Sequence, residues 1–207
     1  LAVAFRFVVR MLRVQGLKFL DWEEIELEMA AGEIVAIQGQ SGSGKSLLLR
    51  AVADLIPREG EAFLEGVACS EFSPTDWRRS VCFLSAEALW WVDRVGDHFD
   101  KTVPEERLQR LGLASDCLDW EVSRLSMGER QRLGLLRMLD REPRVLLLDE
   151  PTSNLDSETS VAVEALLLEY LEENQAAAIW VTHDDSQARR LGSKVYRMAG
   201  KKLEVVT

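Results

Sequence analysis

Cysteine is scarce in this chain: Cys69, Cys82 and Cys117 are widely separated and form no Cys-x-x-Cys pair. An odd, dispersed set argues against a disulfide framework and a thiolate zinc site, and the three are expected to be reduced and buried, as in a cytosolic protein. Positive charge is also in deficit. With 25 Lys and Arg against 35 Asp and Glu, the formal charge is −10, so the surface repels nucleic-acid phosphates and anionic membrane, and no nucleic-acid partner is expected. No apolar run approaches the roughly 20 residues that span a bilayer, so a soluble chain is expected. The apolar start, Leu1 to Val9 with Arg6 inside it, is too short for a secretory signal and lacks a small-residue cleavage site. Met11, just ahead of the strand-like run Leu12 to Leu17, is therefore a candidate natural start. Repeats, low-complexity tracts and sustained heptads are missing too. What remains is 207 residues, 47% hydrophobic and 29% charged, enough to bury one substantial core in a single domain.

Along the chain, Ile25 and Leu27 alternate with Glu24, Glu26 and Glu28, the period of a strand with one wet face. A turn at residues 30–33 leads into the apolar run Ile34 to Ile37. Further short strands are expected at Ala62 to Leu64 and Val81 to Leu84, separated by the polar stretch from Glu71 to Arg79. Residues 87–142 change character: helices are expected near residues 105–111 and 129–139, forming a small inserted helical lobe between a β-rich part (1–86) and a second half of the core (143–207). Strand, helix and strand then return at Val145 to Leu148, Val163 to Leu171 and Ala178 to Val181. Continuous apolar strands alternating with amphipathic helices predict an α/β fold with a mainly parallel sheet covered on both faces.

Between the run ending at Ile37 and the helical pattern starting at Leu47 stands Gly39-Gln40-Ser41-Gly42-Ser43-Gly44-Lys45-Ser46, a GxxxxGKS phosphate cradle. Glycines allow the tight turn that aims backbone N–H groups at phosphate oxygens, and the emerging helix adds its positive end. Lys45 is placed to reach the β and γ phosphates of a nucleoside triphosphate, and the Ser46 hydroxyl to ligate Mg²⁺. Far downstream, Val145 to Leu148 end in Asp149-Glu150, two carboxylates at the C-terminal end of a buried strand, where open α/β sheets bind ligands. Asp149 is suited to holding Mg²⁺ through its water shell, and Glu150 to polarising an attacking water as general base. Ser126 and Glu129 form a Ser-x-x-Glu capping box, so a helix should start at Ser126 and present a second anion-binding end.

Taken together, the loop at residues 39–46, Leu125-Ser126-Met127-Gly128-Glu129, the strand ending in Asp149-Glu150, Ser153-Asn154-Leu155-Asp156, and His183 after Trp180-Val181-Thr182 closely resemble the motifs of the ATP-binding cassette family. The resemblance implies a P-loop nucleoside-triphosphatase fold with an N-terminal antiparallel β subdomain and an inserted helical subdomain. It further implies an ATP-hydrolysing subunit, dimerising head to tail, with each MgATP between the phosphate loop of one copy and the signature segment of the other. On that basis Gly39 to Leu47 bind ATP in cis, while Ser126 and Gly128 contact the γ-phosphate in trans. Asp156 links the two sites, and Lys45, Glu150 and His183 act in catalysis.

Two departures stand out. Ala86 occupies the position where the family usually carries a metal- and water-contacting glutamine, leaving water or Glu87 to complete the coordination and implying slower hydrolysis. Met127 replaces the first signature glycine, while Gly128 is kept. The family also sets an aromatic ring against adenine from upstream of the loop; Phe19 and Trp22 are candidates for this, or for simple core packing. A membrane permease is the implied partner, docking near residues 86–99, which would hold the chain peripherally at the cytoplasmic face of the membrane. The brevity of the chain and the Trp180 to Asp184 segment look similar to short bacterial iron-export ATPases. A regulatory cassette, in which ATP mainly controls dimerisation, is the alternative that Ala86 keeps open.

Overall fold

The computed structural model describes residues 10–206, so the apolar stretch Leu1 to Val9 lies outside the described residues. Two sheets sandwich the first long helix. The N-terminal sheet is antiparallel, in the order β2-β1-β4-β5, from β1 (Arg10–Lys18), β2 (Ile25–Ala30), β4 (Glu59–Leu64) and β5 (Val67–Ala68). Its alternation is the one read from the glutamates: Ile25, Leu27 and Met29 are buried, and the residues between them are more exposed. The second sheet runs β10-β9-β3-β8-β7-β6, from β3 (Ile34–Gln38), β6 (Val81–Leu84), β7 (Val145–Asp149), β8 (Ala177–Val181), β9 (Lys194–Ala199) and β10 (Lys202–Val205). All its pairs are parallel except the terminal β9-β10 hairpin.

β3, β7 and β8 are buried at every residue, because alternate side chains serve two different cores. Val35, Ile37, Val145, Leu147, Ile179 and Val181 pack against the antiparallel sheet and α1 (Lys45–Val52). Ile34, Leu146, Leu148, Ala178 and Trp180 face the other way, onto α4 (Met127–Asp140) and α5 (Ser157–Asn174). Each fully buried aliphatic side chain contributes about 1.5–3 kcal/mol relative to exposure, so these two faces dominate the packing energy.

Three segments differ from the sequence expectation. The polar stretch after Glu71 contains a helix, α2 (Pro74–Ser80), opened by Ser73, whose Oγ accepts from Asp76 N at 3.1 Å, and anchored by one buried residue, Trp77. Residues 87–126 are mostly non-repetitive chain with short turns, although the helix expected near 105–111 is present as α3 (Glu105–Arg110), whose one buried residue is Leu108. Beyond β8, a capped helix α6 (Asp185–Leu191) and the closing hairpin follow, which the apolar pattern did not announce. The three cysteines are free and buried, and burial pushes the Cys117 thiol up to about 11.

Candidate nucleotide site

Three adjacent parallel strands deliver the candidate residues to one edge of the sheet. Ile37 of β3 and Asp149 of β7 both stand opposite Val181 of the intervening β8, so Gln38, Glu150 and Thr182 leave the sheet at the same height. The phosphate loop follows β3, Glu150 follows β7, and His183 emerges between them after β8. Residues far apart in sequence thus meet at the carboxyl ends of the strands, where this architecture binds ligands.

Within the loop, Gly42 and Gly44 have φ of 76° and 89°, and a Cβ on Gly44 would lie 2.6 Å from the Trp22 ring. Only glycine satisfies both the left-handed backbone and the close approach. α1 starts at Gly44 with no side-chain cap, leaving its first N–H groups directed at the loop. Lys45 Nζ donates to Gly39 O at 2.9 Å and Gln40 O at 3.1 Å, holding the ammonium over the turn. Gln40 and Ser41 are exposed, and Leu47 packs at the margin of the first core. Ser43 Oγ is buried without a partner, the kind of orphaned hydroxyl a bound phosphate or water would satisfy.

Asp149 is buried at the end of β7, with the Ser46 hydroxyl beside it. Burial pushes its carboxyl above the ordinary range; the nearby Ser46 hydroxyl opposes the rise and neighbouring Glu150 adds to it. This pair of hard oxygen donors fits Mg²⁺ in its chemistry. Glu150 adopts φ 48°, a left-handed conformation that costs a non-glycine residue about 1 kcal/mol or more. It is fixed by its N–H donating to Val181 O at 3.1 Å and by Ser153, whose N and Oγ donate to Glu150 O at 3.2 and 3.1 Å. Its Oε2 lies 3.3 Å from Nδ1 of His183, whose ring is 69% exposed.

The signature segment lies elsewhere. Ser126 caps α4: its Oγ accepts from Glu129 N at 3.3 Å, and Ser126 N donates to Glu129 Oε2 at 2.8 Å. The Ser126 hydroxyl donating to Glu129 Oε2 at 2.7 Å, together with the Ser126 N–H, holds the Glu129 carboxyl below its ordinary range. A Cβ on Gly128 would meet Leu155 at 3.4 Å, so the signature turn packs on the segment that leads into Asp156. Asp156 caps α5, accepting from Thr159 N at 2.9 Å and Thr159 Oγ1 at 2.7 Å. A cavity of about 750 Å³ is bordered by Ser46, Ala86, Glu87 and Asp149, and another of about 790 Å³ by Gly39 to Ser43 and His183. Neither contains Ser126 or Gly128.

Phe19 is buried and stacks behind Trp22 at 5.4 Å, whereas Trp22 is the ring that meets the phosphate loop. In residues 86–99, Leu89 and Trp91 are 73% and 63% exposed. The Arg137 guanidinium lies over both Trp90 and Trp91, 4.5 and 4.6 Å from the ring centres, and donates to Leu89 O at 2.8 Å. His98, to which the sequence assigned no role, is structural: its Nε2 accepts from Trp91 N at 3.1 Å and Val92 N at 3.2 Å. Among the described residues, no helix is long and apolar enough to cross a membrane.

The fold and loop together define an α/β P-loop nucleoside triphosphatase. The family model described as ABC transporter matches residues 22–153. The "Probable iron export ATP-binding protein FetA" of Escherichia coli K12 is 35% identical over 175 residues, covering 79% of this chain and 78% of that protein. The "Lipoprotein-releasing system ATP-binding protein LolD" of Bdellovibrio bacteriovorus is 38% identical over 193 residues, covering 84% and 87%. Among solved structures, a dimeric ATP-binding cassette in a post-hydrolysis state, bound to ADP and phosphate, matches with a TM-score of 0.79 over 95% of this chain and 97% of that one, at 23% identity. The chain belongs to the ABC transporter family, as an ATP-binding and ATP-hydrolysing subunit.

Proposed function

We propose that two copies of this chain close head to tail around MgATP and that the closure powers a separate membrane permease. The observation that carries the reading is the split site: the phosphate loop, Glu150 and His183 share one sheet edge, while Ser126 and Gly128 lie outside the cavities bordering the loop. A second copy, turned head to tail, supplies the missing wall. The loop amides and Lys45 hold the phosphates, Trp22 backs the base, and Asp156 sits beside the partner's phosphate loop. Ser46 and Asp149 would hold the Mg²⁺, which supplies neutralising charge at the phosphates. Glu150 takes the proton of the attacking water, and His183 orients that water and the γ-phosphate.

Residues 86–99 form the permease docking face, with Leu89 and Trp91 as exposed anchors. The whole chain then acts as one ATPase domain bound peripherally at the cytoplasmic side. The two relatives carry different cargo names at similar identity, which supports a reading in which the permease chooses the cargo. Phosphate release by wild type and Glu150→Gln tests the chemistry: the variant should fall by about 100-fold or more. Equal rates would instead favour a regulatory cassette, the reading that Ala86 at the cavity wall supports. Sizing chromatography tests the geometry, with wild type dimerising on MgATP and Ser126→Arg remaining monomeric while still binding nucleotide.

A further inference from the structure

Behind Glu150 and His183 lies a polar network that no motif includes. Glu164 on α5 and Gln187 on α6 are 4% and 7% exposed. Gln187 Nε2 donates to Glu164 Oε1 at 2.7 Å and to Thr152 Oγ1 at 3.0 Å, spending both amide hydrogens. Arg190 closes on both oxygens of Glu164, with Nη2 3.0 Å from Oε1. Thr152 follows Glu150 by two residues, and Gln187 follows His183 by four. The N–H of Gln187 is also fixed, donating to Asp184 at 3.2 Å in the cap that starts α6. The network therefore ties the segment carrying the general base to the segment carrying its histidine partner. A cavity of about 380 Å³, lined by Glu150, Thr152, Glu164, His183 and Gln187, lies between them.

The exposed 3.3 Å contact between His183 and Glu150 is too weak to set their geometry unaided. Stability does not explain the tie, since the Arg190 half of its ion pair is 56% exposed and contributes little, while the buried Glu164 half costs desolvation. An amide whose two hydrogens are both engaged does, however, fix distance and direction, and misplacement by about 1 Å can cost 100-fold in rate. We infer that Gln187, held by Glu164 and Arg190, is a positioning residue that sets Glu150 against His183 for activation of the attacking water. The inference rests on Glu150 acting as the base.

The test compares Gln187→Leu and the doubly apolar Glu164→Leu/Gln187→Leu, each with and without Glu150→Gln. Phosphate release at concentrated protein, fluorescent-ATP affinity and hydrogen exchange are measured on each. The apolar pair fills the same space without a buried charge, so it carries the test if Gln187→Leu alone fails to fold. The expected result is a kcat about tenfold lower with KM and ATP affinity within about twofold. Exchange should be faster at residues 150–156 and unchanged in the phosphate loop. In the Glu150→Gln background, removing Gln187 should change the rate less than about twofold, because there is no base left to position. Wild-type turnover by the folded apolar pair, beside an inactive Glu150→Gln, overturns this inference alone, and so does an equal loss in both backgrounds. Wild-type turnover by Glu150→Gln overturns the base assignment and this inference with it.

Discussion

α1 and α4 both begin at turns expected to meet phosphate, yet they treat their N-terminal amides in opposite ways. α1 starts at a left-handed glycine with no side-chain cap, so its donors are unclaimed within the helix. α4 starts at Ser126, whose hydroxyl and amide are both engaged by Glu129. An uncapped end is ready to take an anion, whereas a capped end is stable without one and must loosen its own bonds to take it. Glu129 also sets a carboxylate at that end, which favours the helix but repels phosphate. On the proposed head-to-tail reading, the first site suits tight binding and the second a contact made only once the first is filled.

Lys45→Ala should have the largest effect on that contrast, weakening nucleotide binding by at least about 100-fold, roughly 3 kcal/mol. Anisotropy of a fluorescent ATP analogue measures it, and a change under tenfold would mean α1 is not the primary anion site. Gly44→Ala comes next, forcing a Cβ into the Trp22 ring at a φ of 89°. It should destabilise the fold by about 1–3 kcal/mol in urea titrations and weaken ATP binding in parallel. Ser126→Ala removes a cap and should cost about 1 kcal/mol of stability with nucleotide affinity intact. A fall in monomer affinity there would erase the distinction between the helices.

Glu129→Gln should have the smallest effect. The folded carboxyl titrates below 4.5, so its stabilising contribution is complete at neutral pH and disappears as pH falls from about 4.5 through its lower folded value. The stability difference between wild type and variant should shrink across that acid interval by a few tenths of a kcal/mol. Thermal melts from pH 7 to pH 3 measure it; a difference that widens on acidification would reverse the sign.

How much could be read beforehand depended on the range of the forces involved. The phosphate loop, the β2 alternation and the Ser126 cap are set by neighbours within a few residues, and the sequence displays them directly. The meeting of His183 with Glu150 depends on β8 lying between β3 and β7, a strand order that no local pattern encodes. α2 went unread because its single buried residue, Trp77, gives no helical period, whereas α3 stands where the sequence placed a helix. Glu164 and Gln187 resemble ordinary surface polar residues until the packing of α5 against α6 buries them together.

Arg137, gripping Trp90 and Trp91, stands eleven residues beyond Ser126 on the same helix. At 1.5 Å per residue, α4 becomes a rod of about 16 Å joining the exposed tryptophans to the signature serine. A displacement of either ring would therefore reach the serine along one helix, without passing through the sheet.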